Sequence, residues 1–484
     1  MAKTLPPGYH TDVPSFYVEN FGCRAAQADG AAIEQQFRAR GLERAPEAAQ
    51  AGIVVLNTCT VTAAADQDAR AAIRRLRRQN PGCQIVVTGC YAQRAPREIA
   101  ELPGVNAVIG NSHKHQLADS ILDQTSTQEA ESAFVPISIL LSGQNEAATE
   151  NRRRTTDDQR LFLVSDIFAH TELLAAPVFD AANERTRPNL KVQDGCDNRC
   201  SFCVIPSVRG QSRSLPLPEI LRQIHTLVEA GYREVVISGI NLGRWGRDLP
   251  EGGQRLETLV GAILEETSLQ KLRVSSVEPM DWSNEFIELM ACSSRIAKHA
   301  HVPMQSGSDT VLRRMHRKYR PWHYREKVEK IRAAMPAAAI GADVMTGFPG
   351  ETEAEFEDTR RMVEELPFTY LHVFTYSARP GTPAAGFADQ VPVKVARSRT
   401  RILREMSDRK KSAFAKSLVG KTVDAITLNS SEGVMTEALT DNYLKLRLKG
   451  RHQPNQWVRS RIEGIEDGTL LGIQSSAGVP PAIT

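Results

Sequence analysis

The chain has 484 residues, 24% of them charged, a formal net charge of +3 and a mean hydropathy of −0.33. That length exceeds one compact core, so several domains are expected, and the mild basicity permits a nucleic-acid partner without arguing for one. No run of eighteen apolar residues exists and the first residues lack a hydrophobic signal core, so neither a membrane span nor export is expected and the cytoplasm is the expected compartment.

In chain order, strand-like runs at 15–21, 52–59, 84–90 and 107–110 alternate with helical stretches at 31–40 and 66–79. This alternation predicts a parallel α/β domain over about 10–120. Residues 121–186 are expected to be a linker or insertion, since 124–160 are rich in Gln, Ser, Thr, Glu and Arg apart from one apolar patch at 137–141. No period is evident in 161–190. Alternation resumes over 187–411, with strands at 189–193, 234–238, 271–275, 299–303, 339–344 and 370–375. Helices are expected between them, at 217–230, 254–266, 283–291, 322–334 and 353–365. Six such repeats suit a partial β/α barrel, with chemistry on the loops at the C-terminal strand ends. A basic helix at 394–416 leads to five short strands within 412–478, a small all-β barrel.

Cytoplasmic thiols stay reduced, so the eight cysteines read as ligands rather than disulfides. Cys196, Cys200 and Cys203 form C-x3-C-x2-C directly after the first barrel strand. Three thiolates on one tight loop can hold three irons of a four-iron cluster and leave the fourth open. Zinc fits this motif less well, because zinc sites favour four ligands in paired spacings. Cys23, Cys59 and Cys90 each end a candidate parallel strand, so the sheet can bring them to one edge. Scattered cysteines are more often core residues, but these three occupy equivalent positions beside Gly, Thr or Asn. Cys83, in a turn, and Cys292, at a helix end, read as non-ligand thiols.

The cysteine loop and its surroundings resemble the radical S-adenosylmethionine superfamily and, within it, the methylthiotransferases. The resemblance is carried by 193–195 and 204–210 around the loop, by 275–279 (Ser-Ser-Val-Glu-Pro), by 302–308 (Val-Pro-Met-Gln-Ser-Gly-Ser) and by 341–352, in the family's order. It covers 15–120 and 187–475; residues 124–186 are longer than the family leads one to expect. The resemblance implies two [4Fe-4S] clusters, the second on Cys23, Cys59 and Cys90. It also implies S-adenosylmethionine as cofactor, a low-potential electron donor, and an RNA-binding terminal barrel of the TRAM type. One adenosylmethionine methylates a sulfur associated with the second cluster; another yields the radical that takes hydrogen from a substrate carbon.

Candidate cofactor contacts are Ser238, Gly239 and Asn241 after the second barrel strand, Glu278 after the third, Gln305 after the fourth, and Thr346 with Gly347 after the fifth. A lone Gly-rich turn is weak, but repetition after successive strands strengthens the reading. His299 and His301 share one strand face and read as a hydrogen-bonded interior pair rather than metal ligands, no third ligand being apparent. Basic clusters at 70–78, 313–320, 397–404 and 445–451 suggest a path for a polyanion. Arg379, Lys445 and Arg447 are candidate RNA contacts, and Tyr443 and Trp457 candidate stacking platforms for unpaired bases.

Three substrates occur in the family. They are threonylcarbamoylated adenosine beside the anticodon of transfer RNA, isopentenylated adenosine in transfer RNA, and an aspartate of a ribosomal protein. The stretches 238–246 and 372–377 resemble the threonylcarbamoyl branch most, which makes the anticodon loop the expected partner. A non-enzymatic RNA-binding protein with a structural metal site is the alternative from another class.

Overall fold

The computed structural model describes residues 14–130, 161–170, 173, 186–250 and 253–475. Most of the expected linker, including the apolar patch at 137–141, lies outside the described residues. The chain divides into two units, the first ending at His170 and the second beginning at Thr171.

In the first unit the elements run β1 (Ser15–Asn20), α1 (Arg24–Ala39), β2 (Glu43–Arg44), β3 (Ile53–Thr58), α2 (Ala63–Gln79), β4 (Gln84–Gly89), α3 (Cys90–Arg94), α4 (Pro96–Ala100), β5 (Val105–Ile109), α5 (Leu117–Ala130) and β6 (Leu161–Leu163). All six strands are parallel in the order β2-β1-β3-β4-β5-β6. β3 and β4 are buried on both faces, as their unbroken apolar runs require of central parallel strands. Val54, Leu56, Ile85 and Val87 face one apolar cluster, and Val55 and Val86 the other. β6 was not foreseen: three residues are too few to show a period, and only pairing with β5 reveals them. Cys83 lies in the apolar core of this unit with Ile85.

The second unit opens with β7 (Asn189–Asp194), α6 (Ile205–Arg209), β8 (Arg213–Ser214), α7 (Leu217–Glu229), β9 (Glu234–Gly239), α8 (Leu256–Glu266), β10 (Lys271–Val274) and α9 (Asn284–Cys292). It continues with β11 (His299–His301), α10 (Asp309–Arg314), α11 (Pro321–Ala334), β12 (Ala339–Thr346), α12 (Glu353–Glu365) and β13 (Tyr370–Thr375). The parallel pairs β7-β9-β10 and β11-β12-β13 are joined by a bridge between Leu272 and Ile296. The result is the expected open barrel of six parallel strands. β8 adds a short antiparallel strand against β7.

Side chains alternate across these strands. Leu190, Val192, Val235, Ile237, Leu272, Ile340, Ala342 and Val344 pack outward into the large apolar core with the helices. The alternate positions point inward and are polar: Lys191, Gln193, Glu234, Ser238, Lys271, Arg273, His299 and His301 are all buried. A lumen so polar must be satisfied by pairing or by a ligand.

α13 (Val393–Lys416) runs along β12 and β13 into β14 (Thr422–Glu432), β15 (Met435–Thr440), β16 (Lys445–Lys449), β17 (Trp457–Glu466) and β18 (Thr469–Gln474). These five close into a barrel ordered β14-β15-β16-β18-β17 around Ala425, Ala438, Leu446, Leu448 and Ile462. The junction with the six-stranded barrel is ionic. Arg273 pairs with Glu234 at 2.6 Å and donates to the Asp441 and Thr440 carbonyls, while Lys271 meets Asp441 at 3.2 Å.

Candidate active site

In the first unit the register sets Asn20 beside Asn57 and Thr58 beside Gly89. Cys23, Cys59 and Cys90 therefore follow within three residues of the ends of adjacent strands, as the sequence reading expected. Cys23 caps α1 and is exposed; Cys59 and Cys90 are buried. The chain approaches itself closely here. At Gly22, with φ +99°, an added Cβ would fall 2.7 Å from Cys59 Cβ and 2.9 Å from its sulfur. At Gly89, with φ +97°, it would fall 2.3 Å from the Thr58 carbonyl oxygen. Only glycine serves at both places.

Polar side chains that the sequence reading missed hold these loops. Asn57 donates to Asn20 Oδ1 and the Ala26 carbonyl, and buried Lys114 pairs with buried Asp29 at 2.9 Å. Arg94 donates to Thr60 and Asp66, while Asn111 aims its amide at Cys90 Sγ, 3.6 Å away. An amide directed at a cysteine sulfur is the kind of outer hydrogen-bond donor that accompanies sulfur ligands. No local pattern marks Asn111 or Lys114, whose partners lie 21 and 85 residues away.

In the second unit the loop after β7 carries Cys196, Cys200 and Cys203. Gly195 has φ +70°, and a Cβ there would collide with the Gln211 carbonyl oxygen at 1.8 Å. The turn is closed by Cys203 N–H to the Cys200 carbonyl and anchored by Ser201 to the Arg314 carbonyl. Behind it, Asp194 accepts from Lys191, Arg209 and the Gly195 amide at 2.8–3.0 Å. Burial alone would raise the Asp194 pKa, but Arg209, Lys191 and Arg213 hold it well below the usual carboxylate range. Asn241 Nδ2 lies 3.6 Å from Cys196 Sγ, and Arg317 Nη1 lies 3.2 Å from Cys200 Sγ. Burial pushes the Cys203 thiol up to about 12, and Cys196 upward in the same direction. A thiol raised by burial ionises more readily beside a cationic centre, so Cys196 and Cys203 suit metal ligation.

The cofactor candidates separate into two groups. Ser238 Oγ, Asn241 Oδ1 and Gln305 Oε1 are buried without a hydrogen-bond partner among the described residues, and so is Ser275 Oγ. Buried polar atoms left open near the C-terminal ends of successive strands fit a polar ligand such as adenosylmethionine. Gln305 holds φ +62°, an uncommon conformation for a residue with a side chain. Glu278 is ion-paired with Arg317, and both line a small cleft with Cys200, Arg244 and Asp281. Gly239 lies tight against Gln193, whose Oε1 would stand 2.8 Å from an added Cβ.

Thr346 and Gly347 are a correction. Thr346 falls on the outward phase of β12 and hydrogen-bonds Thr400 and the Ala396 carbonyl of α13. An added Cβ at Gly347 would meet Ala396 Cβ at 2.3 Å. Both residues dock a helix, so they are withdrawn as ribose or adenine contacts.

The RNA candidates are also redistributed. Tyr443 lies 4.7 Å from the His299 ring and stacks under Arg273, and Lys271 sits 4.8 Å above the Trp457 ring. Arg379 is 3% exposed. Tyr443 and Trp457 thus make contacts at the junction between the two barrels. Lys445 is exposed, and Arg447 is partly exposed beside Glu466. In the basic clusters Arg314, Arg317 and Arg399 are spent on Glu355, Glu278 and Glu351. Arg74, Arg78, Arg397, Arg401 and Arg404 remain exposed.

The profile of an uncharacterized protein family, UPF0004, matches residues 15–110, and that of the radical SAM superfamily matches 190–363. A Bacillus subtilis protein named threonylcarbamoyladenosine tRNA methylthiotransferase MtaB is 36% identical over 89% of this chain and 89% of its own. The chain belongs to the radical S-adenosylmethionine methylthiotransferase family. A protein of the same name from Aquifex aeolicus is 34% identical over 92% of this chain and 99% of its own. A tRNA-2-methylthio-N(6)-dimethylallyladenosine synthase from Novosphingobium aromaticivorans is 32% identical over 85% and 86%. Among solved structures, the radical S-adenosylmethionine methyltransferase TsrM of Kitasatospora setae aligns with a TM-score of 0.51 at 14% identity, over 77% of this chain and 73% of that one. At that identity the likeness speaks for the fold alone. Membership of the radical SAM superfamily implies a [4Fe-4S] cluster and S-adenosylmethionine for this methylthiotransferase. No helix among the described residues is long and apolar enough to cross a membrane.

Proposed function

We propose that this methylthiotransferase converts N6-threonylcarbamoyladenosine at position 37 of transfer RNA to its 2-methylthio derivative. The observation that carries the reading is similarity to relatives bearing that name, at 36% and 34% identity over about nine-tenths of the chain, against 32% for the dimethylallyladenosine synthase. On this reading Cys196, Cys200 and Cys203 hold one [4Fe-4S] cluster and Cys23, Cys59 and Cys90 a second. When bound, the clusters and adenosylmethionine supply electron transfer, hydrogen abstraction and the methylated sulfur.

The chain's own residues bind and position. Asn241 and Arg317 donate to two of the three sulfurs of the loop, and charge-assisted donors at cluster sulfurs raise a reduction potential. Ser238, Ser275 and Gln305 offer open polar atoms for the cofactor's polar groups. Glu278 and Arg317 present opposite charges side by side, which suits the ammonium and carboxylate of an amino acid. Exposed arginines of α2 and α13 and Lys445 of β16 offer phosphate contacts.

The test is mass spectrometry of transfer-RNA nucleosides from cells with and without the gene. Loss of 2-methylthio-threonylcarbamoyladenosine alone is expected. Loss of the dimethylallyl derivative instead, or an unmodified ribosomal-protein aspartate with transfer RNA unchanged, would overturn the substrate reading.

A further inference from the structure

We propose that His301, Asp343 and His372 form a binding site for one divalent transition-metal ion, sharing no residue with either cysteine set. The three lie on the adjacent strands β11, β12 and β13. Their neighbours Ala300, Ala342, Leu371 and Val373 pack into the core, so strand alternation turns all three toward the barrel lumen. Register places Asp343 directly beside His372 and sets His301 beside Gly341, two residues before Asp343.

The geometry is that of a ligand set. Asp343 Oδ1 is 3.5 Å from His301 Nε2 and 3.3 Å from His372 Nδ1, and all three donor atoms lie within 4.8 Å of one another. Donors sharing a cation at about 2.1 Å stand about 3.0–4.2 Å apart, so small side-chain adjustments close the set. Ser276 Oγ lies 2.7 Å from His301 Nδ1, on the opposite side of the ring from the donor nitrogen. A hydrogen bond at the second ring nitrogen is how metal-ligating histidines are oriented. The Tyr370 ring flanks both imidazoles at 6.1 and 5.2 Å and fixes their planes. His301 is buried while the His372 side chain is 61% exposed, which gives an ion a way in. Two imidazoles and one carboxylate suit zinc, or ferrous or manganous ion, with coordination positions left for oxygen donors.

The sequence reading found no third ligand for the histidine pair because the missing members lie 42 and 71 residues beyond His301 (343 − 301 and 372 − 301). His299 is buried and hydrogen-bonded to Tyr370 Oη, as expected of an interior histidine, and takes no part in the set.

The experiment uses protein carrying its reconstituted clusters, equilibrated by dialysis against micromolar zinc, with zinc and iron per chain read by elemental mass spectrometry. Wild type is expected to retain about one zinc per chain, and His372→Ala and Asp343→Asn to bind it at least about tenfold more weakly with iron unchanged. His372 is mostly exposed, so its truncation tests the site without threatening the fold. Equal zinc retention in wild type and both variants, or none in wild type, would reduce the cluster to a hydrogen-bonded His–Asp–His group and overturn the proposal.

Discussion

Gly22 shows how one missing methyl group sets the geometry of a site. An alanine there would need φ near +99° and would drive its Cβ into Cys59. On the proposed ligand assignment, Gly22→Ala should lower iron from about eight to about four per chain, since only one of two four-iron clusters is disturbed. Iron analysis of the reconstituted variant checks this; unchanged iron would mean that Cys59 is not a ligand. Cys83→Ala is the contrasting case. Cys83 is buried in the core and distant in role, so the substitution should cost about 1 kcal/mol in urea unfolding and leave iron unaltered. The strand-end and loop positions of the six cysteines were legible in sequence, because each follows a strand or shares a short loop. Thr346 was misread at this same scale: a strand-end position cannot tell inward from outward until the phase of β12 is known. The junction contacts of Tyr443 and Trp457 were not legible, because an aromatic near basic residues looks alike on a free surface and at a domain junction.

At the scale of elements, α12 illustrates a boundary written in sequence. Thr352 accepts from the Glu355 amide while Glu355 accepts from the Thr352 amide, a reciprocal cap, and Glu355 also pairs with Arg314 of α10. Burial opposes ionisation of Glu355, but bonds from Arg314, Thr310 and Thr352 bring its pKa from the ordinary 4.5 down to about 2. A carboxyl depressed on folding stabilises the native state above its unfolded pKa, and that stability is lost as pH falls through the folded one. Glu355→Gln should therefore destabilise by about 1–2 kcal/mol near neutrality, with the difference from wild type shrinking below pH 4.5 and gone near pH 2. Denaturant unfolding at several pH values reads the convergence. Helix and strand periods placed most elements within a few residues. Short elements such as β2, β6, β8 and α10 escaped because two to six residues carry too little pattern, and α5 escaped because its polar C-terminal half reads as linker.

For the second unit as a whole, the six-stranded barrel and the closed terminal barrel are joined through charges and through ring contacts of Tyr443 and Trp457. Arg273 is fully buried against Glu234, and removing one partner of such a pair leaves an uncompensated charge. Arg273→Ala should cost about 3–5 kcal/mol, whereas replacing Arg273 and Glu234 together with apolar residues should restore much of it. Thermal unfolding of the single and double variants decides; equal losses would mean that the pair is not coupled. Exposed arginines on α13 stand outside these pairs. On the proposed transfer-RNA reading, Arg397→Glu with Arg401→Glu should weaken binding and flatten the dependence of log affinity on log salt by about two charges' worth. An unchanged slope would place the RNA elsewhere.

β6 has a further consequence for how this chain tolerates being cut. It resumes the first sheet after residues 131–160, with the Leu163 carbonyl accepting from Gly110 N–H and Ser165 bonding Ser112 and Gln93. A backbone break between Ala130 and Leu161 thus separates covalently what the sheet still clasps. Two polypeptides expressed apart, one ending at Ala130 and one starting near Leu161, should reassemble as a split protein, with the edge strand as the latch.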